Sequence, residues 1–404
     1  MKEDFLKAVK DALKMLEEYG KKEVLLFHHN DCDGLTSGSI LEEAFRRKGY
    51  SVQRYSLEKP YPAVLAKIFA QSGKFIIFAD FAGRIAPIIS DLNRGRNIVF
   101  ILDHHVAEKS TDEKVYNLDP ELFGLKGDRD ITASAVCYLF AKAMDENNRD
   151  FSRTGALGAV GDGFFVNGRL VNANREVAME AVKLGFLDIK ERDDGGEDYI
   201  WKFKGKQYKC RELGSYLDVL GGVGYSQGGP DIGVKVCLNG PDAESDRQVE
   251  NLKVTMDEIF TREIKRLKNG GLKVTGHIQW FNLEDRFSPM GVKMVGVFCG
   301  KLKNMDFIDP EKYIAGFQHI PPSIPNFGNV DIHDTKISMR VPKPLEKAIV
   351  AKKALGLDVL LPEATARVGG FSDACHSLTA ATVVRIGDEK RLIDEMENIL
   401  KEKG

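Results

Sequence analysis

Three short runs in the first quarter of the chain are apolar throughout: Val24-Leu25-Leu26-Phe27, Phe75-Ile76-Ile77-Phe78-Ala79 and Ile98-Val99-Phe100-Ile101-Leu102. A strand facing water on one side would alternate apolar and polar residues. These do not, so both faces must be covered. Stretches with helical spacing lie between them. One opens the chain over about residues 3–18, with Phe5, Leu6, Val9, Leu13 and Leu16 on one face and Gly20 after it. Others follow in "TSGSILEEAFRRKG" and "RIAPIISDLNRG", with a further strand in "YSVQRYSL". Strands alternating with helices in this way predict a parallel sheet wrapped on both sides, within an α/β fold.

Each run leads into side chains of the kinds that can ligate a cation. The first leads into His28-His29-Asn30-Asp31-Cys32-Asp33-Gly34, the second into Asp80, and the third into Asp103-His104-His105. Open parallel sheets build their sites at the carboxyl ends of strands, so neighbouring strands would bring these groups together. Asp162, flanked by glycines in "VGDGFF", closes an apolar helix and offers one more carboxylate. A single aspartate after a strand is ordinarily a helix cap. Of the eight histidines, however, four fall in these two motifs, and crowded carboxylates repel one another unless cations neutralise them. Carboxylates and imidazoles without thiolates suit Mn²⁺ first, with Mg²⁺, Co²⁺, Zn²⁺ or Fe²⁺ as alternatives. The number of groups exceeds what one ion needs and suits two divalent cations bridged by a carboxylate.

The order of motifs, H-x-D-x-D-G, a strand-closing Asp, D-H-H and then G-D-G, resembles the DHH phosphoesterase family. That family includes RecJ-type exonucleases, small oligonucleotide hydrolases and cyclic-dinucleotide phosphodiesterases. The resemblance implies a metal set of His29, Asp31, Asp33, Asp80, His104 and Asp162. His29 with one aspartate of the Asp31/Asp33 pair would hold one ion. The other aspartate, His104 and Asp162 would hold the second, and Asp80 would bridge. The favoured pairing puts Asp33 with His29 and Asp31 with His104. His105 would act at the phosphate, Asp103 would orient a neighbouring histidine or backbone, Gly34 would ease the turn into the next helix, and His28 would be structural. Cys32, among carboxylates that raise a thiol's pKa, is expected to be a small packed side chain.

The second half is expected to be a smaller α/β substrate-binding domain. "LKVTGHIQWF", "VKMVGVFCG", "KYIAGFQHI" and "TKISMRV" read as strands, with helices at "KPLEKAIVAKKAL" and "EKRLIDEMENILKE". The expected division is a catalytic domain over 1–185, a linker with a long helix over 186–272, and a C-terminal domain over 273–404. Residues 186–240, with Gly-rich "DDGGED" and "LGGVGYSQGGPD", read as irregular. "ISMRVP" and "RVGGFSDACHSLTAA" resemble the family's S-x-R strand and Gly-rich loop. They imply substrate contacts from Ser338 and Arg340, from Gly369 and Gly370 through backbone N–H groups, and from His376. Five residues, including Asp373, separate the glycines from His376, where the family loop runs glycine directly into histidine.

A net charge of −2 leaves no global basic signature, so any nucleic-acid contact must be local. The six cysteines form no C-x-x-C pair, which suits free thiols in a reducing compartment. With no membrane span expected, the reading is cytoplasmic. The resemblance implies a RecJ-like exonuclease of the compact archaeal type. It would hydrolyse single-stranded DNA or RNA from an end by two-metal-activated water, with "TREIKRLKNGG" and "IQWF" as candidate strand-binding elements. A helicase or a replication or repair protein is an expected kind of partner. The alternatives are a short-oligonucleotide (nano-RNA) hydrolase or small-nucleotide phosphatase and, from another class, an inactive replication scaffold.

Overall fold

A computed structural model describes residues 2–372 and 375–403. They pack as two units, one containing residues through Glu250 with Pro325–Gly328, the other Asn251–Ile324 with the residues from Asn329 onward.

The first unit runs α1 (Lys2–Tyr19), β1 (Glu23–His29), α2 (Cys32–Arg47), β2 (Ser51–Leu57), α3 (Pro62–Phe69), β3 (Phe75–Ala79), α4 (Ala86–Asn93), β4 (Ile98–Leu102), β5 (Val115–Asn117), α5 (Ala133–Met144), α6 (Ser152–Asp162) and α7 (Asn172–Lys183). Five strands form one sheet in the order β2-β1-β3-β4-β5, with every pairing parallel. The apolar runs are its interior: all five residues of β3 and all five of β4 are buried. α1 covers one side with Phe5, Val9, Ala12 and Leu16. Fully burying a Phe or Leu side chain contributes about 1.5–3 kcal/mol, so these strands and α1 hold the sheet that carries the strand ends.

Register decides what happens at those ends. His28 lies beside Ala79, and Ala79 beside Leu102. The next residues, His29, Asp80 and Asp103, therefore stand at one level at the carboxyl edge of the sheet. Asp80 does so with φ +65, a left-handed conformation that aspartate tolerates better than most side chains. Ala82, two residues on, has φ +87.

Residues 186–240 are regular, contrary to expectation. β6 (Leu187–Glu191), β7 (Glu197–Phe203) and β8 (Lys206–Lys209) form an antiparallel sheet, and α8 (Cys210–Asp218) and α9 (Gly229–Asn239) follow. The Gly195-Gly196 segment is a hairpin turn: Gly195 has φ +78, and Arg192 N–H bonds the Gly196 carbonyl. Glycines that suggest a loose linker instead join two paired strands.

α10 (Ala243–Arg266) leads to the second unit: β9 (Lys273–Val274), β10 (Ile278–Asn282), α11 (Met294–Leu302), β11 (Tyr313–His319), β12 (Ser323–Ile324), β13 (Gly328–Asn329), β14 (Asp334–Arg340), α12 (Lys343–Val350), α13 (Leu357–Arg367), β15 (Thr379–Arg385) and α14 (Glu389–Lys403). Its mixed sheet runs β15-β14-β11-β10-β9, with only β10 and β11 parallel. The expected strand at "VKMVGVFCG" is helix α11. Met294, Val295, Phe298, Cys299 and Leu302 are buried while Val297 is 45% exposed, a helical spacing that an apolar run of this length conceals. β15, whose first residues close the Gly-rich loop motif, is a full strand beside β14.

Candidate metal centre

Two aspartates at the start of α2 cap two helices. Asp31 is the N-cap of α2, with Oδ1 accepting from Gly34 N at 3.0 Å. Asp33, in the first turn, reaches across to the start of α5, where Oδ2 accepts from Ala133 N at 2.8 Å and Oδ1 from Ser134 N at 3.0 Å. Gly34 must be glycine for close approach: an added Cβ would meet the His29 carbonyl at 2.4 Å. The loop is clamped from distant sequence. Cys32 N donates to Asp218 Oδ1 at 3.0 Å, and Asn30 Nδ2 to the Gly221 carbonyl at 2.9 Å.

His29 Nδ1 lies 2.9 Å from Asp31 Oδ2 and 3.4 Å from Asp80 Oδ2. His104 Nε2 lies 3.5 Å from Asp80 Oδ1, 3.6 Å from Asp162 Oδ2 and 3.9 Å from Asp33 Oδ2. Among the described residues three sets of side chains lie close enough together to hold a cation, His29-Asp31-Asp80, Asp33-His104-Asp162 and Asp80-Asp103-His104-His105, and Asp80 presents one oxygen to each of His29 and His104. This reverses the favoured pairing: Asp31 goes with His29 and Asp33 with His104. The reason is the helix start, which turns Asp31 back over the β1 end and sends Asp33 inward against α5.

His104 Nδ1–H donates to the Gly127 carbonyl at 2.7 Å, which leaves Nε2 facing the carboxylates. A separate close approach requires glycine at 127, since a Cβ there would lie 1.4 Å from the His104 backbone carbonyl oxygen. Asp103 is buried and fully engaged. Oδ1 accepts from His104 N and His105 Nδ1, and Oδ2 from Gly83 N, at 2.7–2.8 Å. It therefore orients both a histidine and the backbone. His105 remains one-third exposed. His28 is fully buried, donating from Nδ1 to the His29 carbonyl and receiving Arg54 at Nε2, 3.1 Å away.

Charge crowding tests whether cations fit. Burial, then Asp80 and Asp162, pushes the Asp33 carboxyl well above its usual range. Asp162, pushed up by burial and Asp80 against the pull of His104, sits at about 6. Burial would lower His29, but Asp31 and Asp80 raise it to about 9. Left to itself, the cluster holds protons in place of positive charge. Asp162 Oδ2 is buried without a hydrogen-bond partner, as expected of a ligand oxygen. The donor set fits hard or borderline divalent ions.

The second-unit candidates divide. Ser338 and Arg340 lie on β14, and Gly296 of α11 sits so close that a Cβ would be 2.9 Å from Arg340 Nη2 and 3.2 Å from Ser338 Oγ. Arg340 donates to its neighbour's carbonyl, Met339 O, and forms no carboxylate ion pair among the described residues. Thr379, the start of β15, pairs with Arg340, and His376 N bonds the Thr379 carbonyl, so His376 sits at that end of the sheet. Gly369 and Gly370 differ from expectation. Their N–H groups donate to Ala366 O and Thr365 O, closing α13, and Gly369 has φ +74. They form a helix C-cap rather than a phosphate cradle. Asp373 and Ala374 lie outside the described residues. Trp280 and Phe281 are 4% and 0% exposed, so "IQWF" supplies core rather than a stacking platform.

Among the described residues, no helix is long and apolar enough to cross a membrane. Residues 23–159 match the N-terminal domain of the DHH family. An uncharacterized protein of Methanocaldococcus jannaschii is 32% identical over 194 residues, covering 46% of this chain and 42% of that protein, so the match spans less than half of the relative's length. A DHH-domain structure described as a member of the s1p family of ribosomal proteins superposes with TM-score 0.63 at 14% identity, over 99% of this chain and 92% of the other. RecJ from Thermus thermophilus, in complex with Mn²⁺, gives TM-score 0.60 at 15% identity, over 98% and 55%. Residues 23–159 are therefore similar to the N-terminal domain of the DHH family, in a chain with the α/β fold of the RecJ structures.

Proposed function

We propose that this chain is a metal-dependent phosphodiesterase, and that it acts as a RecJ-like exonuclease on single-stranded nucleic acid. The observation that carries the reading is Asp80, buried between two histidine–carboxylate groups with one oxygen toward each. Its support from relatives is the DHH-domain match and the RecJ fold, one of those structures having been solved with Mn²⁺. His29, Asp31 and Asp80 would hold one divalent cation; Asp33, His104, Asp162 and Asp80 the other. Such ions supply an activated water at neutral pH and Lewis-acid stabilisation of phosphoryl oxygens.

The chain's own groups define the rest. His105, fixed at Nδ1 by Asp103, keeps its other ring nitrogen available as a hydrogen-bond donor to a phosphoryl oxygen when protonated. Asp103 is a positioning residue. Arg340, a guanidinium without a carboxylate partner among the described residues, is suited to a bidentate phosphate contact, and Ser338 lies beside it.

The test is a degradation series on 5′- and 3′-labelled DNA and RNA strands, with dinucleotides and cyclic dinucleotides alongside. Stepwise shortening of strands that needs Mn²⁺ or Mg²⁺ and stops in EDTA is the expected result. Cleavage of dinucleotides alone would transfer the reading to an oligonucleotide hydrolase. Full activity in chelator would remove the metal mechanism.

A further inference from the structure

Away from the strand ends, the first unit has a cavity of about 290 Å³ where the C-terminal end of α2, the start of α6 and the end of α9 meet. Arg46, Arg47, Arg153 and Thr154 line it, with Glu43 and Asp150. The acids are already engaged: Arg47 grips Asp150 through both guanidinium branches at 2.8 Å and touches Glu43 at 3.4 Å. Arg46 pairs with Glu42 outside the lining.

Arg153 is different. Its Nε is buried without a hydrogen-bond partner, and it makes no ion pair among the described residues. Its guanidinium is held in a cage of rings, 4.7 Å from Phe203, 5.0 Å from Phe186 and 5.8 Å from Trp201. Trp201 stacks on Phe203 at 6°. Cation–π contacts hold such a group in place but saturate none of its five N–H donors. Lys204, outside the cavity's lining, lies over the same Phe203 ring and forms no ion pair among the described residues. α6 begins at the cavity directly after a 3₁₀ turn over Glu146–Phe151, and its first N–H, that of Ser152, is bonded to the Arg149 carbonyl, so the helix start adds no free donor there. A half-buried, pre-oriented guanidinium with unsaturated donors, in a cavity whose carboxylates already pair with Arg47, forms an anion site.

We infer that this cavity binds a phosphate-bearing anion, with Arg153 as its principal ligand. The volume sits at the small end for ligand pockets, which suits inorganic phosphate, pyrophosphate or the terminal phosphate of a nucleotide whose remainder stays in solvent. The site is distinct from the metal centre: Asp33 lies in the first turn of α2 and Arg47 ends it, about 21 Å apart at the α-helical rise. It does not depend on the phosphodiesterase reading.

Equilibrium dialysis tests it, with EDTA present to silence the cation site and in an Arg340→Ala background to remove the other candidate phosphate contact. Inorganic phosphate, pyrophosphate and AMP are compared, with chloride at matched ionic strength. Saturable binding of about one phosphate or pyrophosphate per chain is expected. Arg153→Gln should weaken it at least about tenfold, and Lys204→Ala and Arg46→Gln about threefold each. The last two are surface changes that keep the assay informative should Arg153→Gln not fold. AMP binding as well as phosphate would mark a nucleotide site, and phosphate alone an inorganic-anion site. Binding no greater than to chloride, or saturable binding unchanged in Arg153→Gln and Arg46→Gln, would overturn the assignment.

Discussion

The ends of β1, β3 and β4 and the loop between α13 and β15 both read as ligand-bearing in the sequence, and the structure treats them differently. At the strand ends, side chains carry the chemistry and the sheet sets their positions. Once the three strands that carry these apolar runs are parallel neighbours in register, His29, Asp80 and Asp103 must come together. At Gly369-Gly370 the candidate groups are backbone N–H donors, and a helix end competes for the same donors. Ala366 and Thr365 carbonyls take them. Side-chain ligands on a rigid scaffold can be inferred from order along the chain, whereas backbone ligands depend on which local bond wins.

Asp80→Ala would break the strand-end side of this contrast most completely, because that carboxylate belongs to the His29-Asp31 group and presents its other oxygen to His104 of the second. Activity should fall at least about 10³-fold, and calorimetric titration with Mn²⁺ should show at least one ion lost while circular dichroism is retained. A variant with near-normal turnover would mean the two groups do not work as one centre. Asp103→Asn comes next. It keeps the shape but replaces an acceptor oxygen by a donor, opposing one of the three N–H groups now bound. Turnover should drop about 10- to 100-fold with both ions still bound and KM little changed. Loss of the ions instead would make Asp103 part of the metal set.

What could be read from the sequence follows the same division. The helix α1 and the parallel sheet depend on local pattern, apolar runs and helical spacing, and the six candidate cation ligands on the order of motifs that carries the family resemblance. The pairing of Asp31 with His29 is not readable, because it depends on how α2 starts. Nor are Asp218 and Gly221, which clamp the Asn30–Cys32 loop from almost two hundred residues away, or Gly127, whose carbonyl fixes the His104 ring. Such partners leave no spacing signal. α11 escapes for another reason: the short apolar run Met294–Gly300 fits a buried strand and a buried helix equally well until the exposure of Val297 is known.

Two variants sharpen the second-unit side. Arg340→Ala should raise KM for strands about tenfold or more, the scale of one charged hydrogen bond to phosphate, with metal binding untouched. An unchanged KM would return Arg340 to a structural role against Gly296. Gly369→Ala tests the smallest effect. Nothing lies within 4 Å of where its Cβ would be, so the cost is conformational alone, from φ +74. Moving an L-residue into that region costs about 1–2 kcal/mol, and urea unfolding should show a loss of that size. KM should not move, because the Gly369 N–H bonds Ala366 and has no substrate to lose. If KM rises severalfold while the unfolding midpoint holds, the cap opens during binding and the glycines serve as the phosphate cradle after all. The two regions would then differ only in whether the site is formed before substrate arrives.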